Sequence, residues 1–419
     1  MIDRAHEAPL TSNGSPDHMD ADIPGRNLLV SVHHGFARLT NYIYTMRLLR
    51  IAGPLAVVLI PVILVGQSTP APRPPAPAYK VGVVSESGDI VSWFIPDGPR
   101  LIPDRVVPVG LMPTDPDGPH NIAVSADQKW YYISIAHGTP FGSLWKLDAM
   151  NDTVAGRAQL EMYPTTIGLT PDGEWALVAN SDFFGDRPKI NPATLVHVPD
   201  MTTISDFPAC DMPHGSRSNH AGTAIYLTCM HSDEILEFDT GKLAFTRRAR
   251  AGPGMPVAHA MGAMAGTPAA PTDSSCQPTY VAVSPDDKSL YIACNHSNLM
   301  EVMDVATLTV QRRVPTGLGA YNVDLSPDGS VLVVTNKKGQ SVSLIDPRTW
   351  TETARIATTK KIVHGIAFSP DSRYAYISQE SIGADPGAID VIDLTTRQKM
   401  FTIPVPAQPT GIVVWRRPN

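Results

Sequence analysis

The stretch Thr279–Cys294 reads TYVAVSPDDKSLYIAC, and it decides the fold. A short apolar strand runs into Ser-Pro-Asp-Asp, where proline presets one backbone dihedral and aspartate favours a tight reversal, and a second apolar strand follows. Five other segments repeat the pattern: HNIAVSADQKWYYIS from His120, TTIGLTPDGEWALVAN from Thr165, HGSRSNHAGTAIYLTC from His214, YNVDLSPDGSVLVVTN from Tyr321 and HGIAFSPDSRYAYISQ from His364. Most continue into a third strand ending at aspartate (SLWKLD, EILEFD, LMEVMD, SVSLID, AIDVID), and a more polar fourth strand follows. The starts lie 45, 49, 65, 42 and 43 residues apart. A period in the forties with four strands per unit reads as a propeller blade.

Two fragments complete the count. TGIVVW from Thr410 is a first strand with nothing after it, while KVGVVS from Lys80, DIVSWF from Asp89 and RVVPVG from Arg105 are second, third and fourth strands with nothing before them. Six whole units and two complementary fragments predict an all-β, seven-bladed β-propeller over residues 79–419, closed by its two terminal strands. Closure removes the free inner edge that would otherwise template aggregation. Composition agrees: 40 prolines, 31 glycines and only 17% charged residues suit many short strands and turns.

The repeats, with VVTN at Val333–Asn336, resemble the YVTN family of β-propellers across Lys80–Trp415. That resemblance implies the seven-bladed fold and likeness to surface-layer, quinoprotein amine dehydrogenase and heme d1 propellers, whose functions differ. The segment Asn219-His220-Ala221-Gly222 departs most from the family turn.

Upstream, Ile51–Gly66 is uncharged and apolar, follows Arg47 and Arg50, and precedes a Pro/Ala-rich run. This order predicts a signal peptide or signal anchor over 46–66, with 1–45 a polar tail or an over-extended start and 67–78 a stiff linker. The arginines would stay cytoplasmic, leaving the propeller periplasmic or otherwise extracytoplasmic, either secreted or held by one N-terminal transmembrane segment. In that compartment Cys210, Cys229, Cys276 and Cys294, spaced 19 and 18 residues within two pairs, suggest one disulfide per blade. Four cysteines permit three connectivities, and thiolate ligation is the alternative. A net charge of -7 argues against nucleic acid as a partner.

The candidate site comes from aligning the blades. First strands begin at His120, Thr165, His214, Thr279, Tyr321, His364 and Thr410. All these starts face one end of the ring, so His120, His214 and His364 are inner metal-ligand candidates. His137, His231 and His296 share an aligned place after the second strand and are outer candidates. The long connection Ala251–Ser275 adds His259 with Met255, Met261 and Met264. Imidazole and thioether together favour copper, with zinc as the other metal. Against this stands a plainer reading, in which each ring nitrogen holds an inter-blade loop through a backbone hydrogen bond. The functional expectation is a non-enzymatic or accessory protein whose His-rich face binds a metal, a metal cofactor or a redox or envelope partner. A plain interaction scaffold is one rival. A propeller lactonase is another, with His214, Arg217 and Glu380 as its only visible catalytic candidates.

Overall fold

A computed structural model of the chain describes residues 78–111, 117–135, 141–183, 190–252, 275–381 and 384–418. By contacts the chain divides into residues 1–72 and 73–419, and every described residue belongs to the second unit. The expected tail and apolar segment, and linker residues 67–77, lie outside the described residues. Among the described residues no helix is long and apolar enough to cross a membrane.

Seven four-stranded antiparallel sheets make a seven-bladed β-propeller. Blade two, for example, runs Pro119–Val124, Trp130–Ile135, Ser143–Asp148 and Val154–Gln159 from the axis outward. Blade one takes its innermost strand, Pro409–Arg416, from the C-terminus and pairs it with Tyr79–Ser85, matching Val81 to Val414 and Val83 to Ile412. The expected closure is therefore present. Trp415 adds a bond across to blade two, its Nε1 donating to the Gln128 carbonyl at 2.7 Å.

Period-two alternation explains why the blades stack. In Ala224–Cys229, Ile225 and Leu227 pack with Leu177 and Leu195 of blade three, whereas Ala224 and Tyr226 pack with Val281 and Ile292 of blade five. Each blade interface carries one such cluster, so the core is a ring of apolar layers. Strands buried on both faces read as nearly continuous apolar runs, which is how the sequence writes them.

The turns obey their residue chemistry. In the SPDD turn, Ser284 Oγ accepts the Ser289 amide at 2.9 Å, and Asp287 takes a left-handed φ of 56°. The divergent turn of blade four keeps this shape: Gly222 supplies the positive φ of 72°, and Asn219 Oδ1 accepts the Ala224 amide at 3.1 Å. The aspartates ending third strands cap the next turn, as where Asp148 Oδ1 accepts the amides of Met150 and Asn151.

Cys210 is bonded to Cys229, and Cys276 to Cys294. Cys210 ends the outer strand of blade three, so the first bridge ties blades three and four together, where one bridge within each blade was expected. The second lies within blade five. Cys276, Cys294 and Glu301 are, among the described residues, the one trio of possible ligand atoms within 4.8 Å of each other. They offer no thiolate, because the two sulfurs are bonded to each other, and Glu301 is held by Arg313 at 2.9 Å.

Candidate functional site

The end of the ring at which first strands begin is built from two aligned positions. Each first strand shows a register break directly after its start, as between Pro213 and Ser216 or Val363 and Ile366. Such bulges twist the strand and re-aim a side chain. Here the residues brought to the axis are His120, His214, Tyr321 and His364, all buried. Ring centroids of His120 lie 6.2 Å from His214 and 5.6 Å from His364. The Tyr321 hydroxyl lies between two of the imidazoles, 3.1 Å from His214 Nε2 and 3.2 Å from His364 Nε2. Tyr280 packs edge-on to His214 at 5.1 Å, and Tyr163 lies 6.1 Å from His120. The result is a layer of rings across the channel.

The backbone bonds that hold this layer follow a rule. In blades one, three and five the first strand starts with threonine, whose hydroxyl donates to the starting carbonyl of the next blade: Thr410 to His120 at 2.7 Å, Thr165 to His214 at 3.0 Å, and Thr279 to Tyr321. In blades two, four, six and seven a ring occupies that place and the hydroxyl moves to the second strand. Ser134 bonds Thr165 O, Thr228 bonds Thr279 O, Thr335 bonds His364 O and Ser378 bonds Thr410 O. His214 also donates from Nδ1 to the Thr279 carbonyl at 3.0 Å. The plainer reading of that histidine therefore holds for one of its nitrogens, while Nε2 faces the Tyr321 hydroxyl.

His120 is different. Its Nδ1 bonds the buried carboxylate of Glu86, and its Nε2 is buried with no hydrogen-bond partner among the described residues. A carboxylate on one imidazole nitrogen fixes the ring and, in its neutral form, leaves a lone pair on the other; ligating and proton-accepting histidines are set this way. Opposite, Glu380 lies 3.8 Å from His364 Nε2 and 3.5 Å from Lys337 Nζ, and that ammonium stands 4.0 Å above the Tyr321 ring.

Burial sets the electrostatics. It pulls the His214 pKa down to about 3, with repulsion from His120 adding to the effect and the Thr279 bond opposing it. His364 is held well below its ordinary value, by burial first and then by Lys337 and the other two imidazoles. Burial raises the Glu380 carboxyl against the opposing Lys337 charge, and raises the Tyr321 phenol strongly. His214 and His364 are thus neutral near pH 7, the form in which imidazole ligates metals.

The remaining candidates lie elsewhere. His231 is further out on this face, half-exposed, with Nδ1 3.4 Å from Asp211. His296 is partly buried, directly after Asn295. His137 and His259, with the three methionines near His259, lie outside the described residues. Arg217 lies three residues down its strand from His214 and lines the channel, whereas Glu380 does not line it. The three residues considered for a lactonase are therefore divided by the ring layer. The outer set is one residue too late: the residues meeting the layer are Glu86, Lys337 and Glu380, each two residues after the aligned second-strand position held by Val84, Thr335 and Ser378.

No family model and no curated protein matches this chain. Solved structures do. Hydrazine synthase of Kuenenia stuttgartiensis aligns at a TM-score of 0.57 and 18% identity over 73% of this chain and 93% of that one. A functionally unknown protein from Desulfotomaculum acetoxidans aligns at 0.63 and 12% over 81% and 99%. Dihydro-heme d1 dehydrogenase NirN in complex with DHE aligns at 0.52 and 16% over 80% and 75%. The likeness is one of fold. At these identities a propeller's chemistry rests on its own residues.

Proposed function

We propose that this propeller is an exported, non-enzymatic binding or accessory protein whose ring layer holds a metal ion, alone or within a cofactor, with copper favoured and zinc second. The observation that carries this reading is His120: a buried ring fixed by Glu86, with Nε2 unpartnered among the described residues. Neutral His214 and His364 supply two further imidazoles, but the Tyr321 hydroxyl lies between their Nε2 atoms, so a three-nitrogen site requires that hydroxyl to leave. When bound, the metal would supply a positive centre in an apolar surround. The chain's part is to fix His120 through Glu86, keep His214 neutral by burial and exclude bulk water with Tyr163 and Tyr280. The dihydro-heme d1 dehydrogenase among the structural neighbours supports a metal-bearing cofactor or redox partner as the context. Two disulfides support an oxidising, extracytoplasmic compartment, and we assign export to the apolar segment at 46–66.

A docked envelope partner has its own support. Leu111, Phe141, Phe183, Ile190 and Leu318 are large apolar residues with exposed side chains, and all adjoin strand ends on the ring-layer face.

Elemental analysis of the purified full chain tests the metal reading. Stoichiometric copper or zinc is expected, lost in the His120→Ala, His214→Ala, His364→Ala triple variant while circular dichroism stays native. The Tyr321→Phe variant should bind the metal more tightly, because it frees both Nε2 atoms. Metal-free protein after copper and zinc loading, or unchanged metal in the triple variant, overturns the proposal and leaves the partner scaffold.

A further inference from the structure

On the other side of the ring layer the channel opens as a cavity of about 580 Å³ toward the Ser-Pro-Asp turns. Its wall is divided. Blades one, two and seven contribute Ala123, Ile366, Ala367, Ile412 and Val413, a mainly apolar half, with Asn121, Gln128 and Arg416 on the same side. Blades four and six contribute Arg217, Asn322 and Asp324, a polar half.

The polar half is unsatisfied. Asn322 is 7% exposed, and its side-chain oxygen is buried without a hydrogen-bond partner among the described residues. Its backbone amide donates to Thr335 Oγ1 at 2.9 Å, which fixes the residue and leaves its Oδ1 idle among the described residues. Two residues along the same strand, Asp324 faces Arg217 at 3.7 Å. That separation is an ion pair beyond hydrogen-bond length, and both partners are partly exposed, so the contact is weak. Arg217 and Asp324 stand on blades four and six at one level of the channel, with Ala282 of blade five at that level between them. A buried amide oxygen without a donor costs free energy that a ligand's N–H would recover.

We propose that this cavity binds a zwitterion of the α-amino acid class with an apolar side chain. Arg217 takes the carboxylate, Asp324 and Asn322 Oδ1 take the ammonium, and the apolar half takes the side chain. The charge pattern selects against the alternatives: an anion alone meets Asp324, and a cation alone meets Arg217. Its polar groups, Arg217, Asn322 and Asp324, are not among the imidazoles proposed for the metal, although His364 and Tyr280 of the ring layer floor the cavity, so variants at the three polar residues test this site apart from the metal.

The test is calorimetric titration of the full chain with L-leucine, leucinamide and 4-methylpentanoate. Leucine should bind in the millimolar range or tighter. Leucinamide, lacking the carboxylate, and 4-methylpentanoate, lacking the ammonium, should each bind at least about tenfold more weakly, a difference of ~1.4 kcal/mol. Arg217→Met and Asp324→Asn should each weaken leucine by a similar factor with unchanged melting temperature. Asn322→Leu should abolish binding, and its melting temperature reports whether the ring persists. Should that variant unfold, the two charge variants still decide. Equal binding of all three probes, no leucine binding at about 10 mM, roughly the weak limit of a specific small-ligand site, or full affinity in both charge variants overturns the proposal.

Discussion

His214 Nδ1 lies 3.0 Å from the carbonyl oxygen of Thr279 in the next blade, and its Nε2 lies 3.1 Å from the Tyr321 hydroxyl. One ring thus joins three blades in its neutral state. Its folded pKa of about 3 is below the unfolded value near 6.5, so protons bind the unfolded chain more strongly between those limits. The stabilising contribution is complete above pH 6.5 and is lost as pH falls toward 3. His364 acts in the same direction. Glu380, whose pKa is raised, acts oppositely above its ordinary value. Urea midpoints should therefore fall on acidification from pH 7 to 5, and His214→Gln should flatten that slope. The difference is at most about 1.4 kcal/mol per pH unit per imidazole. Parallel pH profiles for the two proteins would refute the assignment.

Thr335 shows what holds the ring layer in register. Its hydroxyl accepts the Asn322 amide at 2.9 Å and donates to the His364 carbonyl at 3.2 Å, linking blades six and seven. Thr335→Val keeps the shape and removes both bonds, with an expected cost of about 1–3 kcal/mol in chemical denaturation. Thr349→Val, which removes a hydroxyl from an exposed turn, should stay within about 0.5 kcal/mol and serves as control. Equal losses would show that the inter-blade hydroxyl carries no special share.

Blade count, closure and turn positions were legible because each depends on a repeated local pattern. Thr410 and Lys80 are far apart in sequence, yet each fragment lacked what the other held. The site was only half legible. His120, His214 and His364 stood at one aligned position, and the rings do converge. Glu86 was missed because its blade is split between the termini, leaving no first strand to align it against. Lys337 and Glu380 were one residue from the outer set, a shift that matters because alternate residues of a strand face opposite ways. One readable signal went unused: Ser134, Thr228, Thr335 and Ser378 pair with ring-bearing starts, while Ala179, Ala293 and Val84 pair with threonine starts. The hydroxyl is conserved by moving between strands, and no single strand displays that.

The disulfides differ in what they span. Cys210–Cys229 crosses from blade three to blade four, whereas Cys276–Cys294 stays in blade five beside the connection 253–274. Loops of this size correspond to about 3 kcal/mol of unfolded-chain constraint each in the loop-entropy model. Denaturing thiol titration of native protein should find no free thiol. Reduction should lower the melting temperature, and Cys210→Ser, Cys229→Ser should account for as much of that loss as the other pair. Four titratable thiols would refute the bonding pattern.

Closure of the ring rests on Pro409–Arg416, which pairs with Tyr79–Ser85 and packs Ile412 and Trp415 into the two neighbouring core layers. Removing that strand exposes the inner edge of blade one and opens both layers at once, because blade seven meets blade one through Ile412 and blade two meets it through Trp415. Deletion of residues 409–419 should lower the melting temperature by about 10 °C or more, given ~2–4 °C per kcal/mol for domains of this order. Loss of Pro418 and Asn419 alone should change nothing. Because the vacated edge offers unpaired N–H and C=O groups, a synthetic Pro409–Arg416 peptide should restore part of the lost stability by strand addition. A truncated chain that melts like the intact one, or a peptide without effect, would mean that the last strand decorates the ring and does not close it.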